Sequence, residues 1–331
     1  MTQSNIITFA FVSLCTVASL VSGNLTADDV AVDRNGGKKV AKQQVKASYT
    51  PDEVIAYRTV EKADGTSDDL DLNMFYPPGH KASDKTPCIV FFFGGGWSGG
   101  SPSQFFPHCE YLSERGMVAI SAEYRTKSSH QVQPKTCVFD GKSAVRWVRE
   151  HATRLGIDPN HVAAGGGSAG GHVAAAIAAC TKLEQSSEPT ATTCLPNALV
   201  LFNPVYDNGP DGYGNERVKE YWEVFSPMHN IHSKMPPTIA FFGTEDNLIP
   251  VETTKAFGKA MQDVGVRYDN HLYEGQGHGF FNAGRSKAGT DYFVETVREA
   301  DKFLASLGFL KGEPTISRFV NKSSAQPSKS K

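Results

Sequence analysis

The chain has almost no excess of charge: 33 basic residues stand against 35 acidic ones in 331, a formal charge of −2. Nucleic acid and anionic membranes are held by a net basic field, so neither is an expected partner. Cysteines are few, and no two are spaced C-x-x-C, which argues against a zinc ribbon or a redox centre. No repeat with a period of 20 to 50 residues is visible, so solenoids and propellers are excluded. Long apolar runs are also missing, apart from Ile6 to Val21. That run is short for a membrane span, lies at the N-terminus and is followed by Val21-Ser22-Gly23. It reads as a signal peptide, residues 1–23, which makes the expected location secreted or periplasmic, with no membrane attachment after cleavage.

What is present is a 40% hydrophobic share and 31 glycines, enough apolar material for a sizeable core and incompatible with collagen or wholesale disorder. A single α/β domain accommodates this length. Residues 24–50 form a polar leader, 51–310 the folded domain, and 311–331 a Lys-, Ser- and Pro-rich stretch expected to be a flexible basic tail. An exported chain tolerates disulfides. Cys180 and Cys194 bracket a short polar loop, Cys109 and Cys137 are a second plausible pair, and five cysteines with Cys88 leave one thiol over, the connectivity not being readable from sequence.

Within the domain, strand-like and helix-like patterns alternate. Val54–Val60 and Leu70–Tyr76 suggest a leading hairpin, and Cys88–Phe93, Val118–Ala122, Val162–Ala164, Ala198–Phe202, Thr238–Phe242 and Tyr268–Tyr273 are buried strands. Between them Gln104–Arg115, Gly141–Thr153, Ala169–Cys180, Val251–Val264 and Tyr292–Leu307 carry helical spacing, with Asp140 placed to cap the second. Apolar strands alternating with amphipathic helices predict a doubly wound, mostly parallel sheet with helices on both faces.

Reactive groups in such sheets gather in loops at the carboxyl ends of strands. One such loop is Gly166-Gly167-Ser168-Ala169-Gly170, where a serine on a tight strand-to-helix turn has only small neighbours. The turn sets the Ala169 amide at a helix N-terminus, where it can donate to an oxyanion. Gly96-Trp97-Ser98-Gly99-Gly100 matches the same five-residue pattern. Ser168 is preferred because Ser98 sits beside bulky Trp97 and is followed by Pro102, where its helix would have to start. The run Phe93-Gly94-Gly95-Gly96-Trp97 can turn backbone amides toward one point. No G-K-S or G-K-T follows it, so a phosphate cradle is a poor reading.

A serine hydroxyl needs an imidazole to take its proton, and the imidazole needs a carboxylate on its other nitrogen. Asp246, in the turn Gly243–Pro250, and His278, in Gly277-His278-Gly279, supply both in the order Ser, Asp, His. Glu245 and Glu274 are alternative acids. With these elements the chain resembles the α/β-hydrolase superfamily, in its esterase and lipase branch. That branch includes hormone-sensitive-lipase-like esterases and bacterial acetyl-xylan and feruloyl esterases. The glycine motif starts at Phe93 where that family has His, and Gly167 precedes the serine where the lipase-like group often has Asp. The resemblance implies an α/β-hydrolase fold, with Gly95, Gly96 and Ala169 as the oxyanion hole and no cofactor or metal.

The expected activity is that of an exported serine esterase removing acetyl, feruloyl or other short or aryl acyl groups from small esters or acylated polysaccharides. The rivals are an amidase or peptidase such as a formamidase, a lipase, and a non-catalytic binding protein of the same fold. No segment has the apolar helix of a lipase cap, so no large cap domain is expected. Trp97, Tyr206, Tyr213 and Trp222 are candidates to stack on a sugar or aryl group. His229 and His232 lack a third ligand and read as loop residues, and His172 as a packed helix residue.

Overall fold

The structure, a computed structural model, describes residues 49–62, 64–186, 191–287 and 290–325. The proposed signal peptide, most of the leader and the last residues of the tail lie outside them. Eight strands form one sheet: β1 Glu53–Glu61, β2 Ser67–Phe75, β3 Thr86–Phe92, β4 Val118–Ala122, β5 Ile157–Gly167, β6 Ala198–Phe202, β7 Thr238–Gly243 and β8 Tyr268–Tyr273. Their spatial order is β1-β2-β4-β3-β5-β6-β7-β8. The β1–β2 and β2–β4 pairings are antiparallel, and all pairings from β4 through β8 are parallel.

The continuous apolar run in β3 is explained by burial on both faces. Ile89 and Phe91 point into one cluster, Val90 and Phe92 into the other. The first cluster is closed by α1 Phe106–Glu114, through Cys109 and Leu112, by α5 Tyr292–Ser306, through Val297 and Leu304, and by α6 Ile316–Ala325. The second is closed by α2 Pro134–Glu150, α3 Ala169–Ala179 and α4 Val251–Asp263, with Val145, Val173 and Phe257 at the contacts. Among the described residues no helix is long and apolar enough to cross a membrane.

Three details depart from the sequence expectations. Helix α2 starts at Pro134, so Asp140 is no cap; it lies inside the helix, fully buried, and accepts from Arg125 at 2.6 and 2.8 Å. The requirement to neutralise this carboxylate ties α2 to the loop after β4. The stretch from Lys311 is packed onto the fold through Thr315, Ile316 and Phe319. Ile316 and Phe319 are buried against the first cluster, and Thr315 N donates to Tyr111 Oη at 3.1 Å. Cys88, Cys109, Cys137, Cys180 and Cys194 are all buried free thiols. Cys109 and Cys137 belong to clusters on opposite faces, with the sheet between them.

Candidate active site

The site is assembled at the carboxyl ends of β3, β5, β6, β7 and β8. Strand β5 ends at Gly167 and the chain reverses into α3 at Ser168, which has φ +54° and ψ −121°. A non-glycine residue in that region is strained, and the surroundings must enforce it. Ser168 N donates to Phe202 O at 2.9 Å, and Ser168 O accepts from His172 N at 2.9 Å. The helix packs so close to β3 that a Cβ on Gly170 would lie 2.1 Å from Phe92 O. Small residues around the serine are therefore a steric requirement of the turn.

Asp246 and His278 follow β7 and β8. Asp246 Oδ1 accepts from the amides of Leu248 and Ile249 at 2.9 and 3.0 Å, which leaves Oδ2 facing His278 Nδ1 at 2.7 Å. His278 Nε2 is 2.9 Å from Ser168 Oγ. The Asp246 side chain is fully buried, while that of His278 is 19% exposed, so the imidazole stands at the edge of solvent. With Nδ1–H given to the carboxylate, Nε2 carries the lone pair that faces the serine hydroxyl. Glu245 and Glu274 are exposed and neither is bonded to the imidazole.

Sequence reasoning missed Asn203. It follows β6 with φ +34° and is buried. Its Oδ1 accepts from Gly279 N at 3.4 Å, which turns Nδ2 toward His278 Nε2 at 3.2 Å. The imidazole is thus held from a second side. The only available signal was its position directly after a strand neighbouring the nucleophile strand.

The loop from Gly94 to Gly100 forms the opposite wall. Gly94 N donates to Gln104 Oε1 at 2.6 Å, so this amide is used within the fold. Gln104 Nε2 then donates to Asn282 Oδ1 at 3.0 Å, and Asn282 Nδ2 to Gly279 O at 2.8 Å, tying the glycine loop to the histidine turn. Gly95 has φ +134°, and a Cβ there would lie 2.2 Å from Gly99 O. Among the described residues the amides of Gly95 and Gly96 meet no acceptor. The Ala169 amide opens α3 and has no partner within the helix. These three donors are available to an anion beside Ser168. Ser98 is exposed and donates through Oγ to Gly96 O at 3.3 Å, away from any imidazole.

The aromatic candidates divide. Tyr206 is fully buried, stacked on Phe257 with centroids 3.7 Å apart, and its hydroxyl is 3.1 Å from that of Tyr268. Trp97 is buried against His172 and Phe225. Both are core residues and cannot stack on a substrate: the loops that carry them fold back over the second apolar cluster. Tyr213 and Trp222 are half-buried, and the Tyr213 hydroxyl lies 3.4 Å from where a Gly96 Cβ would be. His229 Nδ1 is 2.9 Å from Ser226 Oγ and His232 Nε2 is 3.2 Å from Ala178 O. Among the described residues no group of three or more His, Cys, Asp or Glu is placed to hold a metal. His172 is packed inside, its imidazole pushed down to about 3 by burial.

Residues 72–201 match the BD-FAE family and residues 213–311 the dienelactone hydrolase family. Among solved structures, esterase 2 of Thermogutta terrifontis, in a form phosphoramylated by tabun, aligns with a TM-score of 0.73 and 44% identity. That alignment covers 79% of this chain and 96% of the other. The chain belongs to the α/β-hydrolase esterases. Esterase LipQ of Mycobacterium tuberculosis is 30% identical to this α/β-hydrolase over 215 residues, 59% of this chain and 50% of that protein. An Arabidopsis thaliana protein described as a probable isoprenylcysteine alpha-carbonyl methylesterase is 28% identical over 269 residues, 72% of this chain and 54% of the other. The chain spans about half the length of the curated relatives it matches.

Proposed function

We propose that the protein is a serine carboxylester hydrolase acting through an acyl-enzyme. The observation that carries this reading is the unbroken chain from Asp246 Oδ2 through His278 to Ser168 Oγ, with contacts of 2.7 and 2.9 Å, beside three unused amides. Ser168 Oγ attacks the ester carbonyl carbon while His278 Nε2 takes its proton. The carbonyl oxygen becomes an oxyanion and receives hydrogen bonds from Gly95, Gly96 and Ala169. Collapse of the intermediate breaks the bond to the alcohol, which leaves with the proton from His278. A water, deprotonated by the same nitrogen, then releases the acid and restores Ser168. Asp246 holds the imidazole in the tautomer these steps need.

The acyl group is short. Structures of the related Thermogutta terrifontis esterase 2 include forms described as propionate-bound and butyrate-bound. The long connection after β6 puts Val218 and Phe225 into the core, so these two apolar residues are not free to line an acyl channel. Acylated carbohydrate is the substrate class that fits export, and the apolar run before Gly23 is the proposed export signal.

The test is kcat/KM on nitrophenyl esters from acetate to palmitate at one fixed pH. A methylene that stays in water forgoes about 0.8 kcal/mol, roughly a factor of four. Activity should therefore peak at butyrate or shorter. A maximum at eight carbons or more would overturn the short-acyl reading and leave a lipase.

A further inference from the structure

Arg217 belongs to the connection after β6 and is 121 residues from the glycine loop, yet its Nη1 donates to Gly96 O at 2.7 Å. Its guanidinium lies over the Trp97 ring at 5.0 Å and the Tyr213 ring at 5.4 Å. Its carboxylate neighbour, Glu216, is 74% exposed at the side chain, so that ion pair is weak and does not explain the placement. The charge is directed instead at one backbone carbonyl, a charge-assisted bond of the stronger kind.

The loop needs such a hold. Gly95 and Gly96 have φ of +134° and +61°, and Trp97, which carries a side chain, has φ +58°. Glycine visits both halves of φ with similar ease, so nothing within Gly95 or Gly96 fixes the direction of their amides. What fixes the loop is the anchoring of its carbonyls. Gly95 O accepts from Ser98 N at 3.0 Å, Trp97 O from Lys127 N at 3.0 Å and Ser98 O from Ser128 N at 2.9 Å. Gly96 O has Arg217, and only the longer 3.3 Å bond from Ser98 Oγ besides. Because each peptide is planar, the bond to Gly95 O sets the Gly96 amide and the bonds to Gly96 O set the Trp97 amide, and these two planes meet at the Gly96 Cα.

We infer that Arg217 is a positioning residue for the oxyanion loop: by holding the Gly96–Trp97 peptide it limits rotation of the glycine loop about Gly96 and so keeps the neighbouring Gly95 and Gly96 amides in place. The connection after β6 is then a brace behind the glycine loop. This inference rests on the esterase reading above. Losing the brace should weaken the donors most where negative charge develops, so kcat falls and KM changes little.

The experiment compares Arg217→Met and Arg217→Lys with the unaltered protein on nitrophenyl acetate, with turnover expressed per serine titrated by a fluorophosphonate. Loss of one oxyanion donor costs about 10²- to 10³-fold, and a loosened loop keeps its donors part of the time, so kcat should fall roughly 30- to 100-fold in Arg217→Met. Arg217→Lys keeps a donor but not the planar guanidinium over the two rings, and should lie between, about tenfold down. KM should stay within about threefold in both. If Arg217→Met does not fold, Arg217→Lys decides alone. A kcat within twofold of the unaltered protein, or a loss expressed mainly in KM, would overturn the inference. Absence of esterase activity in the unaltered protein would instead overturn the reading beneath it.

Discussion

Gly96-Trp97-Ser98-Gly99-Gly100 and Gly166-Gly167-Ser168-Ala169-Gly170 spell the same pattern, and the fold uses them in opposite ways. In the second, the serine itself takes the positive φ, a helix follows at once, and the hydroxyl meets an imidazole at 2.9 Å. In the first, Trp97 takes the positive φ and the serine hydroxyl turns back on Gly96 O. One pentapeptide presents a side chain; the other contains Gly96, whose amide meets no acceptor among the described residues. The difference lies in which residue is forced into the left-handed region, and that depends on what packs behind the loop: β3 behind the nucleophile turn, and Arg217, His172 and Phe225 behind the glycine loop.

Exchanging the two serines should separate these roles most sharply. Ser168→Ala should lower kcat by on the order of 10⁴ or more, while Ser98→Ala should stay within about tenfold. Steady-state rates on nitrophenyl acetate check this, and a dead Ser98→Ala with an active Ser168→Ala would reverse the assignment. The amide role is tested at Gly95. A Cβ there would lie 2.2 Å from Gly99 O, so Gly95→Ala must move the loop. Its kcat should drop by about 10²- to 10³-fold with the Ser168–His278–Asp246 set untouched. Unchanged kcat would remove Gly95 from the oxyanion hole.

The smallest expected effect concerns what lies under each loop. His108 sits among the rings of Phe91, Phe105, Phe202, Phe281 and Phe293, and Phe105 and Phe281 also back onto Gly167. His172 stands edge-on to Trp97 behind the glycine loop. Burial pushes each imidazole from the ordinary 6.5 down to about 3. Between those values the unfolded chain binds protons that the folded chain does not, so folding stability falls as pH drops from about 6.5 toward 3. His108→Phe removes one of these groups and should flatten part of the acid loss, with Tm near neutral pH altered only slightly. Tm measured from pH 7 to pH 4 tests it, and an equally steep acid loss in the variant would count against the neutral buried imidazole.

Much of this was legible in the residues because the physics involved is local. Buried strands such as Val118–Ala122, apolar but for Ser121, and Ala198–Phe202, apolar throughout, are given the same bounds by the structure. Ser168 is surrounded by small residues because a Cβ nearby would strike β3, and that constraint is written in the chain itself. Asn203 and Arg217 were not legible, since each acts on a residue far along the chain and neither sits in a pattern. Asp140 was misread as a cap because its partners, Arg58 and Arg125, come from other elements. Aromatic residues in loops look alike in sequence whether they line a cleft or, like Tyr206, fill the core beneath it. Helix α6 was hidden because Ile316 and Phe319 are diluted among Lys and Ser.

The central claim is that of the two matching serines only the one on the strained strand-to-helix turn is a nucleophile. Labelling the folded protein with a fluorophosphonate, followed by mass spectrometry of its peptides, tests it directly. The adduct should fall on the peptide containing Ser168, and Ser168→Ala should abolish it while Ser98→Ala leaves it unchanged. An adduct on Ser98, or a folded protein that takes no label at all, would contradict the account.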